Sequence, residues 1–141
     1  MKKILIINAN YYQKISNKLV HSSRNILKNK KFKIFTLNVP GIFEIPIAIR
    51  KNINKFDGFI VLGCVIKGKT PHFDFICKST FDAILQLSIL YNKPIANGII
   101  TSLNFKQAKE RCGLLKSNKP NKGIEAAHAV ISILGNGPKK I

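Results

Sequence analysis

Short apolar runs alternate with amphipathic stretches along the whole chain. Four runs rich in Ile, Val, Leu and Phe have the length of buried strands, and each is followed by apolar residues at helical spacing. The predicted strands span residues 3–8, 32–39, 59–66 and 94–101. The predicted helices span residues 15–27, 42–52, 72–90, 104–111 and 123–134. Thr70 and Pro71 are the expected N-cap and first-turn pair of the third helix.

This alternation predicts one α/β domain over residues 1–141. Right-handed strand–helix–strand crossovers place helices on both faces of a four-stranded parallel sheet, which is a three-layer αβα sandwich. The length of 141 residues and the hydrophobic content of 45% suit one compact core. Sheets of this kind bind ligands outside the carboxyl ends of their strands. The residues that follow the four strands are therefore the first candidates for a site.

The chain carries a formal charge of +18, which by itself favours polyanion binding. Of its 24 basic residues, 21 are Lys and three are Arg, and the Lys are scattered over every segment. Nucleic-acid recognition favours the Arg fork and interleaved aromatic side chains, and the basic cluster at 28–33 contains no Arg and a single aromatic residue, Phe32, at the start of a predicted strand. We expect no specific nucleic-acid partner. A nonenzymatic polyanion-binding module, with steeply salt-dependent affinity, stays as one alternative.

The sequence gives no support for a membrane protein, a metal-binding protein or a disulfide-bonded protein. No apolar run approaches the roughly 18 residues of a transmembrane helix, and the N-terminal apolar run is too short for a signal peptide, so we expect a cytoplasmic protein without membrane partners. The three cysteines, Cys64, Cys77 and Cys112, form no CxxC pair and are expected to be reduced and buried. Six acidic residues are too few for a carboxylate metal site, so we expect no metal.

The segment 63–72, GCVIKGKTPH, follows the third strand and contains the pattern GxxxxGKT of a nucleotide-binding loop. Gly63, Gly68, Lys69 and Thr70 satisfy that pattern. A nucleotide hydrolase also needs an acidic residue at the end of a neighbouring strand to hold Mg²⁺, and none of the predicted strands ends in one. A phosphate-loop nucleotide-binding protein is therefore the second alternative, and it predicts Mg²⁺-dependent ATP or GTP binding.

The same segment also suits a smaller phosphate and a proton-transfer residue. Backbone N–H groups, a hydroxyl and two ammonium groups between Lys67 and Thr70 lie at a helix N-terminus, where anions bind. His72 follows in the first turn, and an imidazole there can exchange protons near neutral pH. On spacing alone, a catalytic histidine and a surface histidine at the start of a helix both stay open.

Four longer segments resemble the 6,7-dimethyl-8-ribityllumazine synthase family, in the same order and at similar spacing. They are VPGIFEIP (39–46), FDGFIVLGCVIKGKTPHFDFI (56–76), QAKERCG (107–113) and NKGIEAA (121–127). The resemblance implies a flavodoxin-like strand order and the condensation of 5-amino-6-(D-ribitylamino)uracil with 3,4-dihydroxy-2-butanone 4-phosphate. It also implies that no cofactor is needed, and that subunits of a homo-oligomer share each active site. The long connection at 114–121 favours a pentamer.

The resemblance implies which residues contact the pyrimidine substrate. Tyr11 would stack on the pyrimidine ring, and Val65 and Ile66 would present their backbone edge to the uracil. Asn97 stands near the same ring, where many family members have a second aromatic residue. The residues expected to line the ribityl chain are Gly41, Ile42, Phe43 and Glu44.

The resemblance also implies which residues act on the phosphorylated substrate. Gly68 and Thr70 would seat the phosphate, and His72 would transfer protons. Arg111 would hold the same phosphate from the neighbouring subunit, with Lys122 of the NKG segment beside it.

Overall fold

The computed structural model describes residues 1–135 and 137–141. Its sheet has four strands, all parallel, in the order β2-β1-β3-β4. The strands are β1 (Lys2–Ala9), β2 (Phe32–Val39), β3 (Gly58–Ile66) and β4 (Ile95–Ser102). The predicted parallel sheet with flavodoxin-like order is confirmed, and the predicted strand ends are displaced by no more than one residue. The apolar runs predicted the strands well because β1 and β3 are covered on both faces.

Five helices cover the two faces of the sheet. They are α1 (Gln13–Leu27), α2 (Ile45–Asn52), α3 (His72–Tyr91), α4 (Phe105–Cys112) and α5 (Lys122–Gly135). Alternate side chains of each strand point to opposite faces. Ile4, Ile6 and Ile60 pack in a cluster that includes residues of α1, α4 and α5. Leu5 and Phe59 pack in a second cluster that includes residues of α2 and α3. The three-layer sandwich is therefore confirmed.

The start of α2 and the N-cap of α3 differ from the prediction. The predicted helix 42–52 begins as a separate 3-10 turn at Ile42–Glu44, and α2 starts only at Ile45. Pro46 lies in the first turn of α2, where its missing N–H is tolerated and from which a longer helix cannot continue backwards. At α3 the N-cap residue is Pro71 and not Thr70, because the Pro71 carbonyl accepts the first helical N–H groups, those of residues 74 and 75.

The three cysteines are free thiols, and Cys64 and Cys112 are buried as expected. Cys77 departs from that prediction because it is only half-buried on α3. Within residues 1–135 and 137–141, no helix combines the length and the apolar character that crossing a membrane requires.

Candidate active site

A cavity of about 360 Å³, here called cavity A, lies where β1 and β3 end. The 3-10 turn and the first turn of α3 complete its wall. Its lining residues are Ala9, Tyr11, Tyr12, Gly41, Ile42, Phe43, Glu44, Cys64, Val65, Ile66, His72 and Ile76. Cavity A therefore contains every residue predicted to contact the ribityl chain or the pyrimidine, apart from Asn97, and it also contains His72.

Tyr11 presents the most accessible ring of cavity A. It lies just beyond the end of β1, and 74% of its surface is exposed. Its ring meets that of Tyr12 edge to face at a centroid distance of 4.9 Å, and Tyr12 meets Phe105 of α4 in the same way at 5.2 Å. Such edge-to-face pairs hold aromatic rings in defined orientations. Tyr11 is thus supported from behind while one side stays open to a ligand.

The segment from Gly41 to Glu44 forms the opposite wall of cavity A. The Glu44 N–H donates to the Gly41 carbonyl at 3.3 Å and closes the 3-10 turn. Phe43 is exposed and Glu44 is half-buried, and a Glu44 carboxylate oxygen lies 3.4 Å from the place where a Cβ on Gly41 would stand. Because a carboxylate only accepts hydrogen bonds, this oxygen suits a ligand that carries hydroxyl groups.

His72 is the first residue of α3 and is exposed. The chain leaves β3 at Ile66, where the Lys67 N–H still donates to the Ser102 carbonyl at 2.9 Å, and then runs through an irregular loop. Gly68 and Thr70 lie in that loop and are exposed. They stand close to His72 along the chain, but they line neither cavity A nor the second cavity described next.

A second cavity of about 560 Å³, here called cavity B, lies beside β4, α4 and the start of α5. Its lining residues are Phe81, Asn97, Ile99, Ile100, Thr101, Ser102, Gln107, Glu110, Arg111, Lys119 and Lys122. Cavity B therefore brings together Arg111 and Lys122, expected at the phosphate, and Asn97, expected beside the pyrimidine. The candidate site of a single chain is divided between two cavities.

Arg111 reaches cavity B from the last turn of α4. Asn104 caps this helix, since its side-chain oxygen accepts the Gln107 N–H at 2.9 Å, as the capping pattern predicted. Gly113 ends the helix with a φ of 86°, a left-handed conformation that glycine adopts without strain. A cation in the last turn also complements the helix dipole. Arg111 is therefore held near a fixed end of a short, well-capped helix.

Lys122 begins α5, and contacts with α1 fix its backbone. The Asn121 side-chain oxygen accepts the Gly123 N–H at 2.9 Å, and the Ser23 hydroxyl donates to the Gly123 carbonyl at 2.7 Å. A Cβ on Gly123 would lie 2.5 Å from the backbone oxygen of Leu19, so only glycine allows α1 and α5 to approach this closely. The Lys122 ammonium group lies 3.6 Å from the Glu125 carboxylate, a partly exposed pair that contributes little stability.

Asn97 lies on β4, an edge strand, and is exposed. Its side-chain oxygen accepts the Ile99 N–H at 3.0 Å, so the amide folds back onto its own strand. A side chain in this position satisfies one free N–H of the sheet edge. Asn97 has no ring with which to stack on a ligand, and it leaves cavity B open beside it.

Cys64 and Tyr12, two polar residues in the wall of cavity A, are neutral at neutral pH. Burial raises the pKa of the Cys64 thiol to about 12, and the nearby Cys112 adds to the shift. Burial also raises the pKa of Tyr12, with smaller contributions from Tyr11 and Cys64. Because a thiol acts as a nucleophile only when ionised, Cys64 is inert at neutral pH. Among the described residues, no three His, Cys, Asp or Glu side chains lie close enough together to hold a metal ion.

The sequence analysis assigned no role to three aromatic or charged lining residues of cavity B, Phe81, Glu110 and Lys119. Phe81 belongs to an apolar stretch of α3, in which periodicity indicates only a core residue. Glu110 and Lys119 are charged residues beside a predicted helix end and a polar loop, where solvent exposure is the usual outcome. Only the packing of α3 and α4 against β4 brings these residues to the cavity.

The family model described as 6,7-dimethyl-8-ribityllumazine synthase matches residues 1–136 of the chain. Proteins named 6,7-dimethyl-8-ribityllumazine synthase are similar over most of its length. That of Campylobacter curvus (strain 525.92) is 38% identical over 138 residues, covering 94% of this chain and 86% of the relative. That of Bartonella tribocorum (strain CIP 105476 / IBS 506) is 37% identical over 134 residues, covering 93% and 87%. The chain therefore belongs to the 6,7-dimethyl-8-ribityllumazine synthase family, a family of transferases in riboflavin biosynthesis.

Proposed function

We propose that this chain condenses 5-amino-6-(D-ribitylamino)uracil with 3,4-dihydroxy-2-butanone 4-phosphate. The products are 6,7-dimethyl-8-ribityllumazine, inorganic phosphate and water. The observation that carries the proposal is cavity A, which combines an open aromatic ring, a half-buried carboxylate and an accessible histidine. Its volume of about 360 Å³ lies in the range of small-molecule sites.

The pyrimidine substrate fits the chemistry of cavity A. In the proposed complex its ring stacks on Tyr11, while backbone groups of Val65 and Ile66 pair with the uracil edge. The ribityl chain runs along the wall from Gly41 to Glu44, and its hydroxyl groups donate hydrogen bonds to the Glu44 carboxylate. A mostly apolar pocket with a few placed polar groups orients such a ligand.

The phosphorylated substrate needs a cationic seat, which cavity B supplies through Arg111 and Lys122. A guanidinium group binds phosphate through two parallel hydrogen bonds, and an ammonium group adds charge. We propose that cavity B of one subunit faces cavity A of its neighbour, so that Arg111 and Lys122 meet the loop of Gly68 and Thr70. The phosphate then lies between two chains, close to His72.

This arrangement requires a homo-oligomer, and we propose a pentamer. Support comes from the apolar surface that α3 leaves uncovered in a single chain. Its exposed residues are Phe75 (70%), Leu85 (61%), Ile89 (72%) and Leu90 (74%). Large apolar side chains left exposed on one helix are typical of protein–protein contact surfaces. We further propose that residues 1–141 act as one domain and that the enzyme works in the cytoplasm, where its free thiols stay reduced.

The proposed reaction proceeds through an imine. The 5-amino group of the pyrimidine attacks the ketone of the second substrate, and water leaves. Loss of a proton next to the imine then expels the phosphate, and the ribityl-bearing nitrogen closes the ring with loss of a second water. His72 transfers the protons in these steps, and Arg111 stabilises the leaving phosphate. Holding two reactants in contact contributes several kcal/mol by itself, about 7 or more in the best-oriented cases.

The proposal is tested by mixing the purified oligomer with the two substrates, without ATP or Mg²⁺. We expect fluorescent lumazine and phosphate to appear in equal amounts, and neither to appear when one substrate is omitted. Active, folded oligomer that forms no lumazine would contradict the proposal. Mg²⁺-dependent ATP binding abolished by Lys69→Ala would instead support the nucleotide-binding alternative, although the strands beside β3 end at Ala9 and Ser102, without a carboxylate for the metal.

A further inference from the structure

Phe81 is an aromatic residue in the wall of cavity B, and no sequence motif assigns it a role. It lies on α3, half-buried, and packs against the core cluster between α3 and the sheet. Part of its surface lines cavity B together with Asn97 and Arg111. Phe81 is the one aromatic side chain among the described residues that line this cavity.

Cavity B has two chemically different sets of lining residues. Arg111, Lys119 and Lys122 are cationic beside one acidic residue, Glu110, whereas Phe81, Ile99 and Ile100 are apolar. A phosphate accounts for the cationic residues and gives no reason for the apolar ones. Asn97, which lines the same cavity, accepts the Ile99 N–H on its own strand and has no aromatic face to offer a ligand.

A uracil ring is the part of the proposed substrates that an aromatic face would bind. In cavity A the Tyr11 ring offers one stacking surface, whereas Phe43, the other exposed ring there, belongs to the wall proposed for the ribityl chain. We infer that Phe81 of the neighbouring subunit contacts the face of the pyrimidine opposite Tyr11. The inference rests on the proposed function and on the shared site. In it, Phe81 increases the affinity and the specificity of the enzyme for the pyrimidine substrate.

A tryptophan reporter tests the contact directly, because the chain contains no Trp. In Phe81→Trp the new indole is the single tryptophan, and it faces a cavity of about 560 Å³ with room for the larger ring. We expect the pyrimidine substrate alone to quench its fluorescence, and inorganic phosphate alone to leave it unchanged. Tyr91→Trp is the matched control, because Tyr91 is a half-buried α3 aromatic on the same core cluster that does not line cavity B. Its emission should not respond to the pyrimidine.

Phe81→Leu keeps apolar packing and removes the aromatic face. We expect pyrimidine affinity, measured by calorimetry, to fall about ten-fold, as for loss of one base–aromatic stack. The KM of the phosphorylated substrate should stay near the wild-type value, whereas general damage to the fold would raise both values. Tyr91→Leu should change neither.

Two results would overturn the inference while leaving the proposed function intact. One is a wild-type pyrimidine affinity in folded Phe81→Leu oligomer that still makes lumazine. The other is an unquenched Phe81→Trp indole in protein that binds the pyrimidine by calorimetry. If the Phe81→Leu chain does not assemble, the tryptophan reporter alone decides. Wild-type protein that binds no pyrimidine would overturn both the inference and the proposed function.

Discussion

Replacing His72 with alanine is expected to lower kcat by about 100-fold, the lower end of what a general acid–base residue contributes. His72 is exposed at the start of α3, and Pro71 rather than a side chain caps the helix. The substitution therefore removes no helix-capping contact, and the oligomer should form with wild-type size. Lumazine fluorescence gives the rate, and light scattering gives the mass of the assembly.

His21→Ala and His128→Ala serve as controls for this substitution. Both residues are exposed on helices and line neither cavity A nor cavity B. The His21 ring nitrogen Nε2 forms a hydrogen bond with the Asn25 side-chain nitrogen at 3.0 Å, and both residues belong to α1. Their variants should keep the wild-type rate. A His72→Ala enzyme with an undiminished rate would remove His72 from proton transfer.

Replacing Arg111 with alanine is expected to raise the KM of the phosphorylated substrate by about 100-fold, equivalent to about 2.7 kcal/mol of lost charge-assisted hydrogen bonding. The value of kcat should fall as well, because the phosphate carries more negative charge as it leaves. The KM of the pyrimidine should change little. Steady-state kinetics with each substrate varied in turn separates these effects.

Arg111→Lys and Arg24→Ala refine this prediction. Lysine keeps the charge but loses the planar fork that binds phosphate through two bonds, so Arg111→Lys should lie between wild type and Arg111→Ala. Arg24 is exposed on α1 and lines neither cavity A nor cavity B, so Arg24→Ala should behave as wild type. Equal KM increases for Arg24→Ala and Arg111→Ala would show a general charge effect instead of a specific phosphate contact.

Much of the fold could be predicted from the sequence because the central strands β1 and β3 are buried on both faces. Strands such as β3 are then continuous apolar runs, which are easy to recognise. The helix starts were harder to predict. Near Pro46 the helix was predicted to begin at residue 42 and begins at Ile45, whereas after Pro71 the start of α3 was predicted correctly and only its N-cap residue was not. Residue preferences alone do not show which carbonyls accept the first helical hydrogen bonds.

The residues of the site could be named from the sequence, but their division into two cavities could not. Strand order decides it: β1 and β3 are neighbours, so their ends share cavity A, whereas β4 is an edge strand whose end opens towards α4 and α5. Phe81 was missed because a helical aromatic in an apolar stretch predicts a core position, and the residue is both a core residue and part of a cavity wall.

The proposed active site combines cavity A of one chain with cavity B of its neighbour, and mixed oligomers test that combination most directly. His72→Ala and Arg111→Ala chains, each nearly inactive alone, are produced together in equal amounts and purified through two different tags. In a closed ring of randomly mixed chains, about a quarter of the sites would pair an intact His72 with an intact Arg111. We predict that about a quarter of the wild-type lumazine-forming rate returns in the mixed oligomers. Mixed oligomers no more active than either variant alone would contradict catalysis across the subunit boundary.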